Sequence, residues 1–193
     1  MDLYIFDFDD TLAVTDSRVK VIRNGQEILM TSREFAHFPF DPATDQLDFG
    51  DFQRAQGTLI KDTVAEMQRA MQDGHDVFIV TARAIAGPVE QFLTNEIGSH
   101  PPVVATAGSE GKTPWLQNQL NKEDYQRVVV YEDCKKNIRS LKAVAEAAGV
   151  TYSAMCILED QSMVKAESRW RREDLLNEWD FREITKNFLR KTW

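Results

Sequence analysis

Two aspartates, Asp7 and Asp9, follow the apolar run Leu3-Tyr4-Ile5-Phe6 almost without a break. On an extended chain, residues i and i+2 point the same way, so both carboxylates could face one reacting atom. Two like charges held together are costly unless a cation, a proton or an opposite charge offsets them. Similar junctions recur further along. Val77-Phe78-Ile79-Val80 runs into Thr81-Ala82-Arg83, and Val128-Val129-Val130-Tyr131 runs into Glu132-Asp133-Cys134. Between them, Gly111-Lys112-Thr113 stands at the start of a helical segment. Carboxylates supply oxygen ligands for a hard cation such as Mg²⁺, which keeps several waters and takes phosphate oxygens besides. A hydroxyl and an ammonium suit the remaining phosphate oxygens. Asp7, Asp9, Thr81, Lys112, Glu132 and Asp133 together read as a set suited to phosphoryl transfer.

For these groups to meet, the apolar runs must be parallel strands whose C-terminal ends share one edge. The intervening sequence fits. A helical face runs through Leu59, Thr63, Met67, Ala70 and Met71 from Thr58 onward and stops at Gly74. Further helices are expected over about 85–97, from Pro114, and over about 135–148, with short strands near Val103-Val104 and from Tyr152 to Leu158. Apolar strands alternating with amphipathic helices give an α/β fold, a three-layer, Rossmann-like parallel sheet with helices on both faces. Asn24-Gly25, between Val19–Ile22 and Ile28–Thr31, is a strong hairpin signal because both turn positions favour positive φ. Residues 35–57, with Phe38-Pro39-Phe40-Asp41-Pro42, read as irregular. A single domain over 1–193 is expected, with a β-hairpin flap and small cap insertion at 13–57 and a helical tail at 165–193. The tail carries Trp170, Leu175, Leu176, Trp179, Ile184, Phe188 and Leu189, which suit a helix docked on the core or a homodimer contact.

Composition narrows the classes. The 193 residues are 42% hydrophobic and 28% charged with a formal charge of −8, which argues against loose, sequence-independent nucleic-acid binding. The charge is uneven, with 8 basic and 6 acidic residues from Lys165 onward against 15 and 25 before it. The two cysteines, Cys134 and Cys156, have no metal-type spacing, and no apolar run approaches the length of a membrane span. A cytoplasmic protein without a membrane partner is expected. His37, His75 and His100 fall in loops without paired ligand spacing. Gly111-Lys112-Thr113 imitates a phosphate-binding loop, but Thr106 stands where that motif needs glycine.

The order of these motifs resembles the haloacid dehalogenase-like hydrolases, whose four dispersed motifs map onto positions 7 to 137. DxDxT appears as Asp7, Asp9 and Thr11. The strand ending in Thr or Ser appears as Thr81, and the upstream Lys is best matched by Lys112, with Lys122 the rival. The acidic pair appears as Glu132-Asp133, with Asn137 a turn later. The resemblance implies a phosphatase in which Asp7 is the nucleophile, forming an aspartyl-phosphate, and Asp9 is the acid and then the base. It implies that Thr81 and the N–H groups near Asp9 and Asp10, in the turn that carries Thr11, hold the phosphoryl group while Lys112 offsets charge. Asp7, the Asp9 carbonyl and Asp133 would hold Mg²⁺, with Glu132 a further ligand or a partner that orients one. Arg83 either touches substrate phosphate, as a similar Ser-Gly-Arg segment does in related polynucleotide phosphatases, or pairs with an acid. The small insertion implies an open site, which in the family accompanies larger substrates such as nucleic-acid ends or phosphoproteins, or oligomers that complete the lid. With Thr81-Ala82-Arg83 and the basic tail, the substrate expected is a phosphorylated small molecule, namely a nucleotide, or a 3′-phosphorylated nucleic-acid end. A phosphotransferase and a noncatalytic binding protein of the same fold are the alternatives.

Overall fold

The computed structural model describes residues 1–36 and 38–166. In chain order the elements are β1 (Leu3–Phe6), β2 (Ala13–Thr15), β3 (Val19–Arg23), β4 (Gln26–Met30), α1 (Ser32–Ala36), β5 (Asp45–Asp48), β6 (Gly57–Leu59), α2 (Lys61–Gln72), β7 (Asp76–Thr81), α3 (Gly87–Ile97), β8 (Val103–Ala105), α4 (Lys112–Leu120), β9 (Arg127–Glu132), α5 (Lys135–Ala147), β10 (Thr151–Ile157) and β11 (Met163–Lys165). Six strands form one sheet in the order β11-β10-β9-β1-β7-β8. All its pairings are parallel except β10 with β11.

Near-continuous Val, Ile and Phe in the central strands is what burial on both faces demands. Along β1 the side chains alternate. Phe6 joins β7's Val77 and Ile79 under Val64, Met67 and Ala70 of α2 and Val89, Phe92 and Leu93 of α3. Leu3 and Ile5 join Val128 and Val130 against Leu116 of α4 and Ile138, Leu141 and Ala145 of α5. Helices therefore pack on both faces. The register places Phe6 beside Ile79 on one side and Tyr131 on the other, so the polar residues after the three strands emerge at one edge.

The chain leaves this layer through β2 and returns through β6, which pair antiparallel from Ala13↔Leu59 to Thr15↔Gly57. Gly57 has φ 154°, and a Cβ there would lie 2.1 Å from the Val14 carbonyl oxygen. Only glycine admits so close a crossing. Between β2 and β6 a second sheet, ordered β4-β3-β5, turns through Asn24 and Gly25 at φ 53° and 76°. Its small core is Val19, Val21 and Met30 with Phe35, Phe38, Leu47 and Phe52.

Several expectations are corrected. The stretch 35–57 contains β5, which pairs with β3 from Lys20↔Asp48 to Arg23↔Asp45. The helix expected from Thr58 starts at Lys61, because Thr58 pairs with Val14 in β6. The sheet is not purely parallel, since β11 closes its edge antiparallel, and Lys165 ends that strand instead of opening a helix. The rest of the expected tail, its dimer contact and His37 lie outside the described residues. Among the described residues no helix is long and apolar enough to cross a membrane.

Candidate functional site

At the end of β1 the Asp7 N–H donates to the Tyr131 carbonyl at 3.0 Å, keeping Asp7 in register with β9. The chain then reverses. The N–H groups of Thr11, Leu12 and Ala13 all converge on the Phe8 carbonyl at 3.3, 2.9 and 3.1 Å. Asp10 takes the left-handed conformation, φ 59°, which Asp tolerates better than most residues. This turn sends the Asp7 and Asp9 side chains to different partners, Lys112 and Arg83.

Asp7 meets Lys112. Its Oδ1 accepts from Lys112 Nζ at 2.6 Å, and Glu132 Oε2 accepts from the same ammonium at 2.7 Å. Lys112 is 2% exposed. Its aim depends on the loop before α4. Thr106 N–H donates to the Thr81 carbonyl at 2.9 Å, and Ala107 adopts φ 52°. Gly111 passes so close to Thr106 that a Cβ would lie 2.4 Å from its carbonyl oxygen. Lys122, two residues beyond the end of α4, is exposed.

Burial raises the Asp7 pKa from 3.8 to about 7, with the Glu132 charge adding and Lys112 opposing. Asp133 is raised well above the usual carboxylate range by burial, then by Glu132 and Asp7. Burial works against the Lys112 ammonium, but the charges of Asp7 and Glu132 outweigh it and hold the pKa above the usual lysine value. Asp10 is raised by burial, with Arg33 the largest opposing influence.

Asp9 meets Arg83. The guanidinium donates from Nε to Asp9 Oδ2 at 2.8 Å and from Nη2 to Asp9 Oδ1 at 2.7 Å. Nη2 also reaches Ser17 Oγ, and Nη1 reaches the carbonyls of Arg54 at 2.7 Å and Phe52 at 3.4 Å. All five guanidinium N–H groups are thereby engaged. Arg83 also lies over the rings of Phe8 and Phe52, 5.3 and 4.9 Å from their centroids. Of the two roles expected for it, the contact seen is with an acid, Asp9. Thr15 Oγ1 adds a third bond to Asp9, at 2.7 Å to Oδ1.

Thr81 is buried at the end of β7, its Oγ1 accepting from the Arg83 N–H at 3.2 Å. Thr11 Oγ1 is buried without a hydrogen-bond partner. Asp7, Glu132 and Asp133 each offer a carboxylate oxygen within 4.8 Å of the others. Three hard oxygen donors gathered in this way could hold a metal ion. The Asp9 side chain does not join this group. Cys134 and Cys156 are poor nucleophiles, their thiols pushed up to about 12 and about 11, first by burial.

Sequence reasoning missed Thr15, Ser17 and Phe52, which build the setting of Asp9 and Arg83, and Arg33, whose Nη2 lies 3.7 Å from Asp133 Oδ2. The available signal for Arg33 was Thr31-x-x-Glu34, a capping box that starts α1. Thr31 N donates to Glu34 Oε2 at 2.7 Å and Glu34 N to Thr31 Oγ1 at 3.1 Å.

No family model, curated protein or solved structure matches the chain. Function has to be argued from the site. The edge holds five carboxylates, Asp7, Asp9, Asp10, Glu132 and Asp133, beside two buried cations, Lys112 and Arg83. Such an excess of acid is suited to a metal cation and to nucleophilic or acid–base work, and is costly otherwise.

Proposed function

We propose that the chain is a Mg²⁺-dependent phosphatase of the haloacid dehalogenase-like kind, hydrolysing phosphomonoesters through an aspartyl-phosphate on Asp7. In that reading the six-stranded sheet is the Rossmann-like layer, β3 and β4 are the flap, and residues 13–57 form a small cap. The observation that carries it is the buried Lys112 ammonium shared between Asp7 and Glu132, with Asp133 beside them. A lone ion pair needs one acid per cation. Here a second acid is buried and a third lies half-buried beside it, at a cost that a structural role does not explain.

Asp7 attacks phosphorus while the bond to the leaving oxygen breaks, and that oxygen takes a proton from Asp9. Water then attacks the aspartyl-phosphate, Asp9 takes its proton, and phosphate leaves with Asp7 restored. Both Asp9 oxygens accept hydrogen bonds from Arg83, so acting as an acid requires Asp9 to free one of them. Thr81 and the turn at Asp10 and Thr11 hold phosphoryl oxygens, and Lys112 offsets charge on Asp7 as the bond forms. Asp7, Asp133 and Glu132 would hold Mg²⁺, which when bound supplies Lewis-acid neutralisation of phosphate charge.

The substrate class is a nucleotide or a 3′-phosphorylated nucleic-acid end. Its support is the modest length of the insertion at 13–57, which by the resemblance goes with an open site and a large leaving group. Arg83 adds none, because its donors are committed to the protein. The test is phosphate release with Mg²⁺ from nucleotides, sugar phosphates, and 3′- or 5′-phosphorylated oligonucleotides, with an alcohol acceptor added to detect transfer. Release that a chelator abolishes, highest on nucleotides or 3′-phosphorylated ends, is the expected result. No release from any of them overturns the proposal.

A further inference from the structure

We propose that Arg33, on the insertion's short helix α1, is a substrate-binding residue that grips the phosphate beside Asp133. The inference rests on the phosphatase reading. Phosphate binding to the site brings about −1.5 to −2 charge to an edge that already holds five carboxylates and two buried cations. A divalent cation offsets only part of that. Lys112 is divided between Asp7 and Glu132, and Arg83 has no free N–H group. Arg18 also acts on Asp10, but its Nη1 is turned to the carbonyls of Thr15 and Ser17.

Arg33 is differently placed. Its Nη2 lies 3.7 Å from Asp133 Oδ2, an ion pair too long to be a hydrogen bond, and 28% of its side chain is exposed. Its charge acts on Asp10 as well. With Asp133 holding a metal ion, the Arg33 guanidinium fork would be left for phosphate oxygens, whose spacing it matches bidentately.

The helix is not adrift. The Thr31–Glu34 capping box fixes its start. Phe35 packs edge-on to Phe49 at 5.9 Å, Phe49 to Phe52 at 6.0 Å, and Phe52 lies beneath the Arg83 guanidinium. A run of aromatic contacts thus links the helix bearing Arg33 to the residue that orients Asp9.

The experiment is calorimetric binding of inorganic phosphate to the full chain in Mg²⁺, for wild type, Arg33→Gln and Arg33→Lys, with Mg²⁺ binding and thermal midpoint alongside. Losing a charge-assisted contact should weaken phosphate binding of Arg33→Gln by about 10- to 100-fold. Arg33→Lys should fall between Arg33→Gln and wild type. The thermal midpoint should stay put and Mg²⁺ affinity should not fall, whereas a merely structural role would move the midpoint first. On a hydrolysed ester, KM should rise while kcat changes little. Wild-type phosphate affinity and KM in Arg33→Gln overturn the inference and leave the phosphatase reading standing. A wild-type protein that neither binds nor releases phosphate in Mg²⁺ overturns both.

Discussion

The sheet edge and the insertion handle buried acid in opposite ways. In the insertion, Asp45 accepts from Arg23 Nε at Oδ1 and from Nη2 at Oδ2, both at 2.6 Å, and its Oδ2 also accepts from the Asp41 N–H. Arg23 completes itself on the Pro39 carbonyl and over the Phe38 ring. One acid meets one fork, and the hydrogen bonds from Arg23 hold the Asp45 carboxyl well below the usual range. At the edge, one ammonium serves two acids with a third nearby, and burial lifts Asp7 to about 7. The ratio of acids to cations sets the two apart, one to one in the insertion and two to one at the Lys112 ammonium. Asp9 with Arg83 shares the bidentate geometry of the insertion pair while standing in the crowded edge.

The contrast can be broken most sharply at Asp7. Asp7→Asn should cut phosphate release by more than ~10⁴-fold, the order lost when a nucleophile is removed. Its circular dichroism should remain that of wild type, and turnover within tenfold of wild type would show that the edge's excess acid is not used chemically. Next, Lys112→Met strands Asp7 and Glu132 without their cation and should cost about 3–5 kcal/mol in urea unfolding. Gly111→Ala drives a methyl into Thr106 and should cost about 1–3 kcal/mol. It should also lower kcat by displacing Lys112, so an unchanged kcat would detach that loop from the site.

Acid titration of the metal-free protein sharpens the comparison in sign. Between pH 3.8 and about 7 the unfolded Asp7 is ionised while the folded one keeps its proton, so stability falls as pH rises through that window. Asp133 acts in the same sense, and Lys112 stays charged throughout. Asp45 acts the other way. Its contribution is complete above 3.8 and is lost on acidification towards its lower folded value. The thermal midpoint should therefore peak near pH 4 and decline towards pH 7, with Mg²⁺ flattening the decline. A steady rise from pH 4 to 7 would refute the burial of these charges. The smallest effect belongs to Arg23→Gln. It should lower the midpoint far less than Lys112→Met at pH 7 and weaken the acid limb, and the reverse order would dissolve the contrast.

What the sequence discloses follows the continuity of apolar runs and the length of helices. Leu3–Phe6, Val77–Val80 and Val128–Tyr131 are apolar runs that suit strands buried on both faces, and their register puts Asp7 level with Glu132 and one residue short of Thr81. Lys112 is legible because Gly111 and a helix start bracket it. By contrast β2, β6, α1 and β11 are three to five residues long, too short for a period to show. The partner of Arg83 depends on Ser17 and on the Phe52 and Arg54 carbonyls arriving from distant chain, which no local pattern encodes. Arg33 depends likewise on a hairpin folding back before α1 can begin.

The stem formed by Ala13–Thr15 and Gly57–Leu59 has a consequence of its own. Departure and return occur side by side, one strand spacing of about 4.8 Å apart, so the main layer takes little account of how far the chain travels between them. The excursion is a cassette. It could be lengthened, trimmed or exchanged without shifting β1 against β7 or β9, provided the replacement still offers carbonyls to Arg83. The carboxylates at the sheet edge and the residues of the excursion thus occupy separable stretches of one chain, so changes in the second need not disturb the first.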